Sequence, residues 1–345
     1  MLKKNQKVAI YMEGHIYSEY GKMGMGVLRY LENKIVCVID SKYSKTNVSD
    51  HYPNLKPVPI VNNLESAIQL KAEVLILGIA PSGGKVPSDW YPVIKMALSK
   101  GLSIINGLHD LLQNRFNNLI SKKNQWIWDV RVPNFVPEIA TGKAAKLNNK
   151  RLLMIGTDMA CGKMTTALEV LTWSKQNKIK SGFIATGQIG ITITGDGIPL
   201  DAFKVDHACG AVERKVLEYG KKDLIIIEGQ GSLLHPGSTA TLPLIRGSCP
   251  THLVLCHRAE KQNLRYPENI RIPNLKKFIE LNQNLAHVFG AFPMSKCIGV
   301  SLNTSKLNKK EAQKVIDETT KITGLPVTDP VRFGVEKICR SLLTS

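Results

Sequence analysis

The 345-residue sequence predicts two doubly wound α/β domains: a Rossmann-like N-terminal domain (1–135), a linker (136–149) and a P-loop NTPase-like C-terminal domain (150–345) with a mainly parallel sheet. Three observations carry this. Short apolar runs alternate with helix-periodic segments along the chain, as parallel strands joined by crossover helices require. One such run meets its helix through Gly156-Thr157-Asp158-Met159-Ala160-Cys161-Gly162-Lys163, a loop rich in glycine and closed by lysine. Between the halves, VPNFVPEIATGKAAKLNNK (132–150) has two prolines and a glycine but no helical periodicity, the composition of a boundary.

In the first half the expected strands are KVAIYM (7–12), IVCVID (35–40), EVLILGIA (73–80), LSIINGL (102–108) and WIWDVR (126–131), with helical patterns at 64–70, 88–100 and 108–120. Their continuous apolar character is what burial on both faces demands. The turn after the first strand, Glu13-Gly14-His15-Ile16, lacks the G-x-G-x-x-G fingerprint, and Gly21, Gly24 and Gly26 lie too far along for a tight dinucleotide turn. No NAD site is therefore expected. Asp40 ends the second strand, either as a ribose-binding acid or as a turn cap. Ala80-Pro81-Ser82-Gly83-Gly84-Lys85 either lines a crevice for a small anion or is a plain loop.

In the second half the strands are GFIATG (182–187), LIIIEGQGS (224–232), THLVLC (251–256) and CIGVSLNTS (297–305), with helices near 163–178, 206–219, 274–288 and 308–322. Strand ends of a doubly wound sheet share one edge. The P-loop, Thr186-Gly187-Gln188, Glu228-Gly229-Gln230-Gly231, His257 and Asn303 are thus expected to converge.

Gly156 and Gly162 let the backbone approach an anion, the amides at the helix start point at it, and Lys163 adds a mobile positive charge. The loop departs from the common P-loop in two ways. Five residues, not four, separate Gly156 from Gly162-Lys163, and Met164 stands where a Ser or Thr would ligate Mg²⁺. A Mg²⁺ hydroxyl must then come from Thr165, from Thr166 or from nowhere, so phosphate binding is better supported than Mg²⁺-dependent hydrolysis. The apolar run ending in Glu228 delivers a carboxylate opposite the loop, to hold Mg²⁺ or orient the reaction, the alternative being a structural acid. Thr165 and Glu228 are the metal candidates.

Gly195 to His207 is the richest polar cluster. Asp196 and Asp206 are candidates for contacting a metal or a substrate amine and His207 for acid–base work, while Asp206 equally suits a helix cap. Gln188, Gln230, His235, His257, Arg258 and Arg265 complete the substrate-facing set, the arginines as bidentate partners of a carboxylate.

Formal charge is +18, yet the lysines form doublets spread over the whole chain and aromatics are only 6%. That argues against nucleic acid and for attraction of anionic metabolites. Seven scattered cysteines, an odd number with no C-x-x-C pair, argue against a disulfide framework or zinc site and point to a reducing, cytoplasmic setting. MLKKNQKVAIYMEGH reads as a first strand and not a signal peptide, and no stretch approaches transmembrane length. A homo-oligomer is expected.

Gly156-Thr157-Asp158, the five-residue spacing to Gly162-Lys163, Glu228-Gly229-Gln230-Gly231 and Asn303 together resemble the dethiobiotin-synthetase branch of P-loop enzymes. That resemblance implies that Lys163 holds phosphates, Glu228 approaches Mg²⁺ and Asn303 reads a base. The whole chain is more similar to a two-domain family, domain of unknown function family 1611. The family-like stretches are GTDMACGKMTTA, ATGQIGI, GDGIPLDAF, EGQGSLLHPG, LCHR and TGLPVTDPVRFG, with GIAPSGGK and INGLHD in the first half. Some of its members are described as acetyl-CoA-dependent N-acetyltransferases of D-glutamate. The resemblance therefore implies acetyl transfer to a small acidic amino acid, with a P-loop made of Gly156, Thr157, Asp158, Cys161, Gly162, Lys163, Met164, Thr165 and Thr166. Acetyl-CoA presents a pyrophosphate and a 3′-phosphate that such a loop can hold without hydrolysis. The alternatives are an ATP/Mg²⁺-dependent ligase or carboxylase resembling dethiobiotin synthetase, and a non-catalytic nucleotide-binding regulator.

Overall fold

Two six-stranded sheets, every pairing in them parallel, organise the computed structural model, which describes residues 2–81, 83–238 and 240–344. Ser82, in the expected anion loop, lies outside the described residues. The chain divides into two compact units, Met1–Pro133 with Gln188–Pro199, and Asn134–Gly187 with Leu200–Ser345.

The first sheet comprises β1 (Val8–Tyr11), β2 (Ile35–Ile39), β3 (Ile60–Val61), β4 (Val74–Leu77), β5 (Ser103–Asn106) and β6 (Ile127–Asp129), in the order β3-β2-β1-β4-β5-β6. Strand order reverses between β1 and β4, where a Rossmann-type sheet would open its ligand crevice. Here that place is filled. Gly24 N, in the first turn of the helix Lys22–Tyr30, donates to Gly78 O at 2.8 Å, and Met12 is wholly buried beside both glycines. A Cβ on Gly24 would stand 2.2 Å from Met12 Sδ, and one on Gly78 2.6 Å from Met12 Cγ. These glycines serve close packing of helix on sheet, not approach of a pyrophosphate. Asp40 is also committed: fully buried, it accepts from Ile16 N and Lys42 N, and burial raises its pKa. It is a turn anchor.

The second sheet comprises β7 (Lys150–Gly156), β8 (Ser181–Ile184), β9 (Leu224–Ile227), β10 (His252–Arg258), β11 (Lys296–Asn303) and β12 (Val327–Thr328), ordered β12-β11-β10-β7-β9-β8. β7 lies between β9 and β10, at the reversal of strand order, so its carboxyl end opens onto the switch point. Leu152 to Ile155 are at most 1% exposed. Below them Arg151, fully buried, donates to the carbonyls of Leu147, Asn149, Ser248 and Cys249, and pins the base of the strand. Burial lowers its pKa.

Residues 136–149, expected as a linker, pack on the second unit: Thr141 N, Thr141 Oγ1 and Ala144 N donate to Glu213, and Ala144 is fully buried. A Cβ on Gly210 would fall 1.6 Å from Glu138 O. Proline and glycine here mark irregular backbone, not a tether. Residues 188–199, expected in the second domain, belong to the first unit, where the helix Gln188–Thr194 packs on Lys22–Tyr30.

Candidate active site at the P-loop

β7 hands the chain to the P-loop at Gly156, and the helix Lys163–Gln176 begins behind Gly162, whose φ of 110° only glycine adopts without strain. Lys163 is 6% exposed, its stem laid across two glycines. A Cβ on Gly156 would sit 2.9 Å from Lys163 Nζ, and one on Gly229 2.9 Å from Cδ and 1.7 Å from Met154 O. The ammonium is folded onto its own loop, donating to Asp158 O at 2.6 Å, 3.6 Å from the buried Cys161 Sγ. Thr166 Oγ1 is spent on Gly162 O (3.0 Å) and Ser301 Oγ (2.7 Å), which removes it from the expected Mg²⁺ ligands. Thr165 is half-buried, with no bond to its hydroxyl among the described residues. Of the two threonines it alone keeps a hydroxyl for a phosphate or a cation.

The exit of β10 braces three P-loop residues. His257 Nδ1 and Thr157 Oγ1 are 2.9 Å apart and buried, Arg265 N donates to Asp158 Oδ2 at 2.8 Å, and Arg258 donates to Ala160 O through Nε (3.2 Å) and Nη2 (2.9 Å). Ala160 has φ 51°, an uncommon conformation for a residue with a Cβ. Burial takes the His257 pKa down to about 4, against the pull of Asp158, so the ring stays neutral. His257 and Arg258, expected to face substrate, shape the phosphate loop.

Glu228 follows β9 and is 3% exposed. Its Oε2 accepts from Thr186 N (2.9 Å) and Gly187 N (3.3 Å), and Thr186 Oγ1 donates to its carbonyl. Burial pushes the carboxyl pKa up to about 7, with the two amides and the charge of Lys163 pulling the other way. Oε1 has no partner among the described residues. Gly187 brings the backbone close to both side chains: a Cβ there would lie 2.3 Å from Gln230 Nε2 and 3.3 Å from Glu228 Oε1. P-loop, Thr186-Gly187, Glu228 and Gln230 therefore form one connected set. A carboxylate titrating near neutrality beside a lysine and an anion loop is equipped for proton transfer.

The remaining candidates divide. Asn303 is half-buried at the end of β11, its Oδ1 accepting from Ser305 N at 3.0 Å. His235 lies in the loop after β9, 7% exposed. Asp206 is exposed and His207 half-buried in the first turn of the helix Val205–Glu218, and no hydrogen bond among the described residues joins either side chain to Glu228 or the P-loop. Asp196 and Gln188 sit in the first unit, Gln188 Cγ 3.2 Å from the Cβ position of Gly107. Of the two, Gln188 alone was expected at the shared strand edge; it directly follows Gly187, where the chain passes from the second unit to the first. Among the described residues no cluster of three or more His, Cys, Asp and Glu side chains could hold a metal ion, so Mg²⁺ would have Thr165 and Glu228 Oε1. Ser301, which holds Thr166, gave no signal in the sequence: it reads as one more strand residue.

A parallel sheet carrying a glycine-lysine loop on the strand where its order reverses defines a P-loop protein. The chain belongs to the DUF1611 family: residues 138–339 match its C-terminal P-loop domain and residues 41–133 its N-terminal Rossmann-like domain, each described as a domain of unknown function. A relative from Pseudoalteromonas sp, named D-glutamate N-acetyltransferase, is 37% identical over 280 residues, 80% of this chain and 83% of its own. Another of that name, from Tritonibacter scottomollicae, is 36% identical over 282 residues, 81% of this chain and 84% of its own. The crystal structure of a DUF1611 family protein from Anabaena variabilis, 44% identical, aligns with a TM-score of 0.95 over 99% of this chain and 100% of that one. No helix among the described residues is long and apolar enough to cross a membrane.

Proposed function

We propose that this protein is a cytoplasmic N-acetyltransferase that moves an acetyl group from acetyl-CoA to the amine of a small acidic amino acid, D-glutamate or a close analogue. The observation that carries the reading is Glu228, a buried carboxyl pushed to about 7 with one oxygen unbonded, beside the P-loop lysine. The names of the two curated relatives support the substrate class. The P-loop amides and Lys163 bind the pyrophosphate or 3′-phosphate of the donor, which needs no metal-bridged hydrolysis and so tolerates Met164. Glu228 Oε1 takes the proton that the substrate ammonium must lose before its nitrogen attacks the thioester.

The test is thiol release from acetyl-CoA with D-glutamate in the presence and absence of EDTA. Undiminished release in EDTA is expected. The open hydroxyl of Thr165 keeps one competitor, an ATP/Mg²⁺-dependent ligase. Amine-dependent phosphate release from ATP, abolished by EDTA and with acetyl-CoA inert, would establish it in place of acetyl transfer.

A further inference from the structure

The loop after β9 closes on itself. A Cβ on Gly231 (φ 64°) would stand 1.9 Å from Ser238 Oγ, His235 N donates to Ser232 O, Ser238 N donates to His235 O, and Thr241 Oγ1 ties down Gln230 O. His235 sits within this loop, more than nine-tenths buried. Gly237 N donates to its Nδ1 at 3.1 Å. A ring nitrogen that accepts an N–H carries no proton, so the neutral imidazole is protonated on Nε2. That Nε2 is buried and has no hydrogen-bond partner among the described residues.

Buried polar groups in folded proteins are nearly always satisfied, and an orphaned donor persists where something else calls for it. This one belongs to the loop that begins with Glu228, at the carboxyl edge of the strand paired with P-loop-bearing β7. We propose that His235 Nε2–H is the donor to the thioester carbonyl oxygen of the acyl donor and to the oxyanion formed there, an assignment that rests on the acetyl-transfer reading. The substrate nitrogen, deprotonated by Glu228, bonds to the carbonyl carbon, and the C=O π pair moves onto the oxygen held by Nε2–H. When that pair returns, the C–S bond breaks and CoA leaves as thiolate. The nitrogen gives its second proton to the departing thiolate, Glu228 releases the first to solvent, and the products are CoA thiol and the N-acetyl amino acid. His235 is no base in this scheme, because its one lone pair is turned to Gly237. Because Nε2 is buried, the oxygen meets it only if the loop moves.

The full-length protein is compared with H235A and H235Q, the glutamine amide nitrogen replacing Nε2–H. Acetyl transfer to D-glutamate, acetyl-CoA affinity by calorimetry and ¹⁵N NMR of His235 are measured. For H235A we expect kcat to fall about 100- to 1,000-fold, as for loss of one oxyanion donor, with acetyl-CoA affinity and the D-glutamate KM little changed. H235Q should regain much of the loss and keep the pH profile of the wild type. The NMR should show Nε2 protonated in the free protein and its resonance displaced by acetyl-CoA. An H235A enzyme with wild-type kcat, or one that loses acetyl-CoA affinity together with kcat, overturns the assignment. If the wild type transfers no acetyl group, the reaction reading falls, and the NMR decides the donor role alone: displacement by acetyl-CoA supports it, a static resonance ends it.

Discussion

Burial of Glu228 ties activity and stability to pH in opposite senses. With a native pKa of about 7 against an ordinary 4.5, the folded protein keeps a proton that the unfolded chain releases in that interval. The stability due to this proton is complete below pH 4.5 and disappears as pH rises through 7, a loss on the order of 3 kcal/mol. Glu228→Gln should therefore gain thermal stability relative to the wild type between pH 5 and 8, read as the difference between their melting curves. Turnover moves the other way: the wild-type kcat/KM should rise with pH through about 7. Glu228→Gln should lose roughly 100-fold or more in kcat while retaining acetyl-CoA. Equal loss of binding would make the residue structural. Lys163→Ala should abolish acetyl-CoA binding and still melt cooperatively, because the ammonium bonds only its own loop, at Asp158 O.

The strand–loop–helix unit was readable from residues 151–173, where an apolar run, two glycines and a lysine fall in the order an anion site needs. Its bracing was not readable. His257, Arg265 and Arg258 reach P-loop residues 98 to 107 positions away, and side-chain bonds across such separations leave no periodicity. β3 and β12 escaped for another reason: with two residues each, neither can show an alternation. The brace has its own pH signature. His257 has a native pKa of about 4 against 6.5 when exposed, so the unfolded chain gains a proton first and stability drains away as pH falls from 6.5 toward 4. His257→Asn should lessen that acid-side loss and keep a partner for Thr157. His257→Leu should weaken acetyl-CoA binding, measurable by calorimetry, without contacting the ligand. Identical affinity in both variants would separate the brace from the site.

Across the molecule, the alternation of strands and helices announced two parallel sheets, and both are present with six strands each. What alternation could not announce was which unit owns a given helix, because burial depends on the surface the helix meets, not on its neighbours in sequence. Residues 188–199 follow β8 and yet pack on the helix Lys22–Tyr30. The filled switch point of the first sheet yields a further expectation: NADH at millimolar concentration should show no fluorescence change on mixing, since Met12 and the Gly24–Gly78 bond occupy the pyrophosphate's place. A clear change would mean that the helix lifts from the sheet.

The detour of 188–199 has a consequence for how such a gene can be cut and inherited. The polypeptide enters the second unit at 134, returns to the first at 188 and leaves it again at 200, so the units are interleaved in the reading frame. Exchange of one unit for a relative's would need three crossovers, and a single recombination at the proline-rich boundary would pair a first unit with a foreign 188–199 segment. A fragment stopping at 133 lacks the patch that covers Gly107, and should be recovered in soluble form only when that dodecapeptide is supplied beside it.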